Sequence, residues 1–177
     1  MQSSLKVLHT QIFLDAVGTG GKVVAIEPSP SSAQKCRDLI QQRSLSNLTV
    51  IESAMSNING VASLSMDGDP TSPTNRLDSS SKAALKVSVI TGDSLVITEA
   101  FPNVIKIDVE GYEVEVLNSM HQILTSSCVK FVFVEVHFAL LEKRGLRNGA
   151  EEIIKIFKQH NFNVNWIDFS HIMGFKD

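Results

Sequence analysis

The sharpest change of hydrophobic period lies between Asn103 and Leu117. Ile105, Ile107 and Val109 alternate with Lys106, Asp108 and Glu110, the period-two signature of a strand. From Val114 onward the apolar residues shift to helical spacing, with Leu117, Met120 and Leu124 on one side and Val116 and Ile123 beside them. Gly111 falls at the changeover, where the backbone can turn as a bulkier residue could not. Lys22 to Pro28 is a nearly continuous apolar run closed by an acid and a proline, as in a buried parallel strand with Glu27 at its tip. Lys130 to Phe138 reads as a further hydrophobic strand that carries Glu135 and His137 on one face.

Weaker patterns fill the intervals. Leu5, Leu8, Ile12 and Ala16, with Phe13 and Val17 alongside, predict an amphipathic helix ending near Gly18. Gly18-Thr-Gly-Gly-Lys22 has the look of a phosphate loop, but Val23 follows the lysine and a strand follows that, so a helix stop and turn is expected. Ser29 and Pro30 suit the cap and first turn of a helix whose buried stripe is Ala33, Cys36, Leu39 and Ile40. Leu48 to Ala54 is the next strand. Residues 60–66 and 85–90 alternate as an antiparallel addition would, with Ala62, Leu64 and Met66 on one face and Leu85, Val87 and Val89 on another. Between them, residues 67–84 are expected to form a flexible loop insertion, either a lid or a disordered segment. Asn148 to Glu151 has capping-box spacing ahead of a helix with Ile153, Ile156, Phe157 and His160 in a stripe, and Phe162 to Phe169 predicts a closing strand. Strands that alternate with helices define an α/β fold, a mainly parallel sheet flanked by helices, with an antiparallel insertion.

Composition narrows this without redirecting it. A chain of 177 residues with 43% hydrophobic content suits a single domain, 1–177. Its net charge of -3 supplies no basic field for a nucleic acid, and no apolar run is long enough for a transmembrane segment. Cys36 and Cys128 have no metal-ligand spacing, and reduced thiols fit a cytoplasmic setting.

Ligands of open α/β sheets bind beyond the carboxyl ends of the strands, which puts Asp108 and Glu110 in reach of one. Glu27 either accepts hydrogen bonds from a ribose hydroxyl pair or is a solvated carboxylate ahead of a helix. Ser53 and Ala54 either border an adenine ring or are packed small residues. Charges near a sheet centre need partners, so Lys106 and Glu135 are expected to pair across neighbouring strands. Asp108, Glu110 and His137 are the candidate catalytic residues. An imidazole with a pKa near 6.5 can take a proton from an acceptor hydroxyl at about pH 7. Asp108 and Glu110 offer two carboxylates to a cation, but no third ligand stands out and no metal is expected.

Val24-Ala-Ile-Glu-Pro-Ser-Pro30, Ile105-Lys-Ile-Asp-Val-Glu-Gly111 with Glu113 and Leu117, and Val134-Glu-Val-His137 resemble the signature blocks of the FkbM family of methyltransferases, in order and separation, from about Gly20 to Phe138. The resemblance implies a Rossmann-like methyltransferase fold, S-adenosyl-L-methionine as cofactor, and O-methylation of a hydroxyl on a sugar, lipid or secondary metabolite. By the same resemblance Glu27 and Pro28 hold the cofactor ribose, Ser53 and Ala54 lie near the adenine, and Asp108 sits by the methyl group. The family opens with a strand and an Asp-x-Gly-x-x-x-Gly loop that find no match here. The first strand and glycine loop are therefore expected to be missing, and the chain to be an incomplete domain or a non-catalytic remnant. A nicotinamide-dependent oxidoreductase would also use Glu27, but requires a Gly-x-Gly-x-x-Gly turn that the sequence lacks.

Overall fold

The computed structural model describes residues 5–65, 76–77, 84–97 and 100–177. They fall into two compact units, one from 1–54 with 60–89 and the other from 55–59 with 90–177. Most of the insertion expected at 67–84 lies outside the described residues.

In the first unit, α1 (Leu5–Val17) leads through a short turn to β1 (Val23–Ile26), α2 (Pro30–Arg43) and β2 (Leu48–Ile51). β1 and β2 pair in parallel from Val23↔Leu48 to Ile26↔Ile51, the pairing that a helical crossover imposes. Asn47 closes the Gly18 to Gly21 turn by donating its side-chain amide to both carbonyls, at 2.8 and 2.9 Å, which agrees with a turn there and not a phosphate loop. The core is Val7, Leu14, Val23, Cys36, Leu39 and Leu48. α1 buries a different stripe from the expected one: Val7, Thr10 and Leu14 face inward, while Leu8, Ile12, Ala16 and Val17 are exposed. Apolar residues lie all round this helix, so its own sequence has too little contrast to choose a face. Ser29 occupies the N-cap of α2 without capping it, because its hydroxyl lies 3.0 Å from that of Ser31.

β3 (Ala54–Met55), β4 (Gly60–Ser65), β5 (Arg76–Leu77) and β6 (Ala84–Ile90) form a sheet in the order β3-β6-β4-β5. β4 and β6 are antiparallel, as their alternation predicts, with Ala62 opposite Val87. Leu64, Val87, Val89 and Ala54 are buried together, whereas Leu85, opposite Leu64 on the same face, is exposed.

The second unit holds β7 (Val104–Ile107), α3 (Glu113–Asn118), α4 (His121–Thr125), β8 (Phe131–Glu135), α5 (Phe138–Lys143), α6 (Gly149–Gln159), β9 (Asn163–Trp166) and β10 (His171–Phe175). Its sheet runs β7-β8-β10-β9. β7 and β8 are parallel, and the β9–β10 hairpin adds antiparallel strands, so the sheet is mixed. The predicted closing strand is the first arm of this hairpin and ends at Trp166. Leu117, Leu124, Val129, Val132, Val134, Ile153, Phe157 and Ile172 are fully buried or nearly so between sheet and helices.

Two further elements differ from the periodicity, the first for an identifiable reason. The single helix expected after Val114 is broken into α3 and α4 because Asp93 reaches in and accepts the amides of Gln122 and Ile123 at 2.9 and 3.1 Å. Ser119 completes the break by accepting the Gly92 amide at 2.8 Å. The strand predicted over 130–138 stops at Glu135, and Phe138 begins α5. Asn148 precedes α6 but makes no side-chain cap, so the capping box is not formed. Among the described residues no helix is long and apolar enough to cross a membrane.

Candidate active site

Parallel pairing of β7 with β8 places Ile107 opposite Val134, so Asp108 and the Glu135 to His137 segment leave the sheet at the same edge. Beyond β7 the chain turns sharply through two left-handed residues, Glu110 at φ 53° and Gly111 at φ 92°. A non-glycine residue in that region stores strain that the surroundings must hold. Here they hold it through both peptide groups of Gly111. Its N–H donates to Glu113 Oε1 at 2.8 Å, and its carbonyl accepts from Arg144. Arg144 also pairs with Glu115 and lies 3.7 Å from the centre of the Tyr112 ring.

The outcome is a cluster around one imidazole. His137 Nδ1 lies 2.7 Å from Glu113 Oε1, which already accepts from Gly111 and so acts as acceptor toward the ring as well. That fixes the proton on Nδ1 and turns Nε2 toward Glu110 Oε2 at 3.3 Å and Asp108 Oδ1 at 3.8 Å. Glu113 is fully buried, and its Oε2, like Asp108 Oδ1, is shut off from solvent without a hydrogen-bond partner among the described residues. Burial alone would lower the pKa of His137. The hydrogen bond that the ring donates to Glu113 and the charges of Glu110, Glu113 and Asp108 outweigh it and hold the imidazole above its ordinary 6.5. The unperturbed histidine expected from the sequence is thus replaced by one with a stronger hold on its proton.

Glu135, which shares a strand with His137's approach, is separately engaged. Lys106 Nζ reaches Glu135 Oε2 at 3.0 Å, the expected cross-strand pair, and His171 Nε2 lies 3.5 Å from the same oxygen. Burial favours the neutral acid, but Lys106, with His137 and His171 behind it, keeps the Glu135 pKa below the usual carboxylate value.

Glu27, Pro28, Ser53 and Ala54 belong to the first unit. Glu27 follows β1 and is buried, not solvated; its Oε1 accepts the Ser29 amide at 2.9 Å. Pro28 is half-buried, and Ser53 and Ala54 are buried after β2.

Asp108, Glu110 and His137 are therefore gathered in one cluster, although none of the three lies on a strand. The candidate residues read from the sequence omitted Glu113 and Arg144. Glu113 stands two residues after Gly111 inside the most distinctive stretch of the chain, so the acid spacing around that glycine was an available signal. Arg144 had none, because its partners lie 29 and 33 positions away.

A family model described as the methyltransferase FkbM domain matches residues 7–164. The hexuronic acid methyltransferase AglP of Haloferax volcanii is 31% identical over 153 residues, which cover 82% of this chain and 62% of that protein. The crystal structure of methyltransferase FkbM from Methylobacillus flagellatus matches with a TM-score of 0.63 at 16% identity, over 99% of this chain and 42% of that one, a likeness of fold. The chain spans less than two thirds of the length of either relative.

Proposed function

Because the chain belongs to the FkbM methyltransferase family, we propose that it carries a site for methyl transfer from S-adenosyl-L-methionine to a hydroxyl of a carbohydrate acceptor, a uronic acid being the first candidate. The observation that carries this reading is the pairing of His137 with the buried Glu113, with Asp108 and Glu110 in front of it, where two parallel strands end. The acceptor class follows the relative whose substrate its name gives.

The cofactor supplies an activated methyl group, which leaves the protein to align the acceptor, exclude water and take a proton. His137 suits the proton transfer. With Nδ1 tied to Glu113, Nε2 is the atom that receives the hydroxyl proton, and the surrounding carboxylates stabilise the imidazolium that results. Glu113 is a positioning residue that acts through His137. Asp108, whose Oδ1 is buried without a hydrogen-bond partner among the described residues, faces the reacting atoms in this reading. The residues at the ends of β1 and β2 fit a nucleoside: the Glu27 carboxylate is an acceptor oriented by the Ser29 amide and would take the ribose hydroxyls, with Pro28 beside it and Ser53 and Ala54 near the adenine.

The test is incubation of the chain with S-adenosyl-L-methionine labelled in its methyl group, together with a glycoside of glucuronic acid or the matching neutral glucoside. Label is expected in the uronic acid product. His137→Gln should lower turnover by roughly 10²- to 10⁴-fold, the usual contribution of a positioned general base, and leave the cofactor's dissociation constant unchanged. Glu27→Gln should weaken cofactor binding in calorimetry. Label in neither glycoside, with no cofactor binding, would sink the proposal.

A further inference from the structure

We propose that Asp108 Oδ1, Glu110 Oε2 and His137 Nε2 form a binding site for a divalent cation of the oxygen-preferring class, such as Mg²⁺ or Mn²⁺. Each residue offers one donor atom, and the three atoms lie within 4.8 Å of one another. Octahedral donors around a small divalent ion sit about 3 Å apart, so the 3.3 and 3.8 Å separations from Nε2 need less than an ångström of closure. Two carboxylates and one imidazole are a donor set that favours such ions over the soft metals that seek thiolates.

Two further observations point to a ligand. Asp108 Oδ1 is buried without a hydrogen-bond partner among the described residues and lies 3.8 Å from His137 Nε2, a position that a cation between the two would satisfy. Behind the ring, the fully buried Glu113 accepts from Nδ1, the carboxylate–histidine arrangement that orients metal-ligating imidazoles. Charge agrees. Asp108, Glu110 and Glu113 surround a single imidazole, and the neighbouring cations Lys106 and Arg144 are engaged with Glu135 and Glu115. Nε2 cannot hold the ion and receive the hydroxyl proton at once, so with an ion bound the proton would pass to another acceptor, while the ion's charge would offset the repulsion between an acidic pocket and an acidic sugar. That role rests on the proposed methyl transfer; the ion site itself does not.

Calorimetric titration of the tag-free chain with Mn²⁺ should show one saturable site. Asp108→Asn or Glu110→Gln should weaken it at least 10-fold, Glu113→Gln by roughly 10- to 100-fold as an outer-shell change does, and Glu151→Gln on the exposed face of α6 not at all. Nuclear magnetic resonance on the unaltered chain guards against variants that do not fold: Mn²⁺ should broaden the ring signals of His137 before those of His9, His121, His160 and His171. An absence of saturable binding, equal binding by the site variants, or no preference for His137 would overturn the proposal. Mn²⁺ binding by a chain that transfers no methyl group supports the ion site and defeats the reaction, whereas methyl transfer without any Mn²⁺ site does the reverse.

Discussion

At Gly111 a backbone requirement and a packing requirement coincide. Its φ of 92° disfavours any side chain, and a Cβ there would lie 2.8 Å from that of Leu140. Gly111→Ala is expected to destabilise the chain by about 1–3 kcal/mol, the range for residues forced into sparsely populated backbone regions, and a urea midpoint that matches the unaltered chain would refute this. The consequence extends past stability, since the same peptide holds Glu113 and Arg144 in place. The glycine's importance was visible in the sequence as a break between two periods. Its partners were not, because Leu140 and Arg144 approach from α5 and the turn that follows it, a stretch for which the pattern gave no element.

Among the elements, the β9–β10 hairpin depends on a turn whose chemistry can be titrated. Asp168 Oδ1 accepts the amides of Ser170 and His171 at 2.8 and 2.9 Å, and His171 Nδ1 lies at 2.9 Å from it. The Ser170 amide foremost, then His171, draws the Asp168 pKa from its ordinary 3.8 down to about 2. A carboxylate whose pKa is lower folded than unfolded adds stability above its unfolded value, and that contribution disappears as pH falls through the folded one. Between about pH 4 and 2 the thermal midpoint should therefore drop more steeply for the unaltered chain than for Asp168→Asn. The side-chain carboxyl carbon of Asp168 should titrate near pH 2 by magnetic resonance, and a midpoint near 3.8 would contradict the turn as described. The periodicity predicted the first arm of this hairpin but assigned no element to the second, β10, which is defined by its pairing with β8 and β9.

For the whole molecule, the two compact units carry separate apolar clusters, and the candidate cluster of acids and His137 belongs wholly to the second. β8 is paired on both sides there, in parallel with β7 and antiparallel with β10, and Val132 and Val134 are fully buried. Amides in such a strand open only with the unit around it. Hydrogen exchange at Val132 and Val134 is thus expected to be among the slowest in the chain, and slower than in β9, which lies at the sheet edge; the opposite order would show that the hairpin is the more stable part. The sequence by itself determined many of the strands and helices, though neither α5 nor β10, and that acids and a histidine stand near strand ends, because local periodicity and turn chemistry report on a few neighbouring residues. The tertiary structure decided which face of α1 is inward, where Asp93 divides a helix, how β10 joins the sheet and that Glu113 stands behind His137. Each of these turns on contacts between residues far apart in the chain, which only a particular packing brings together.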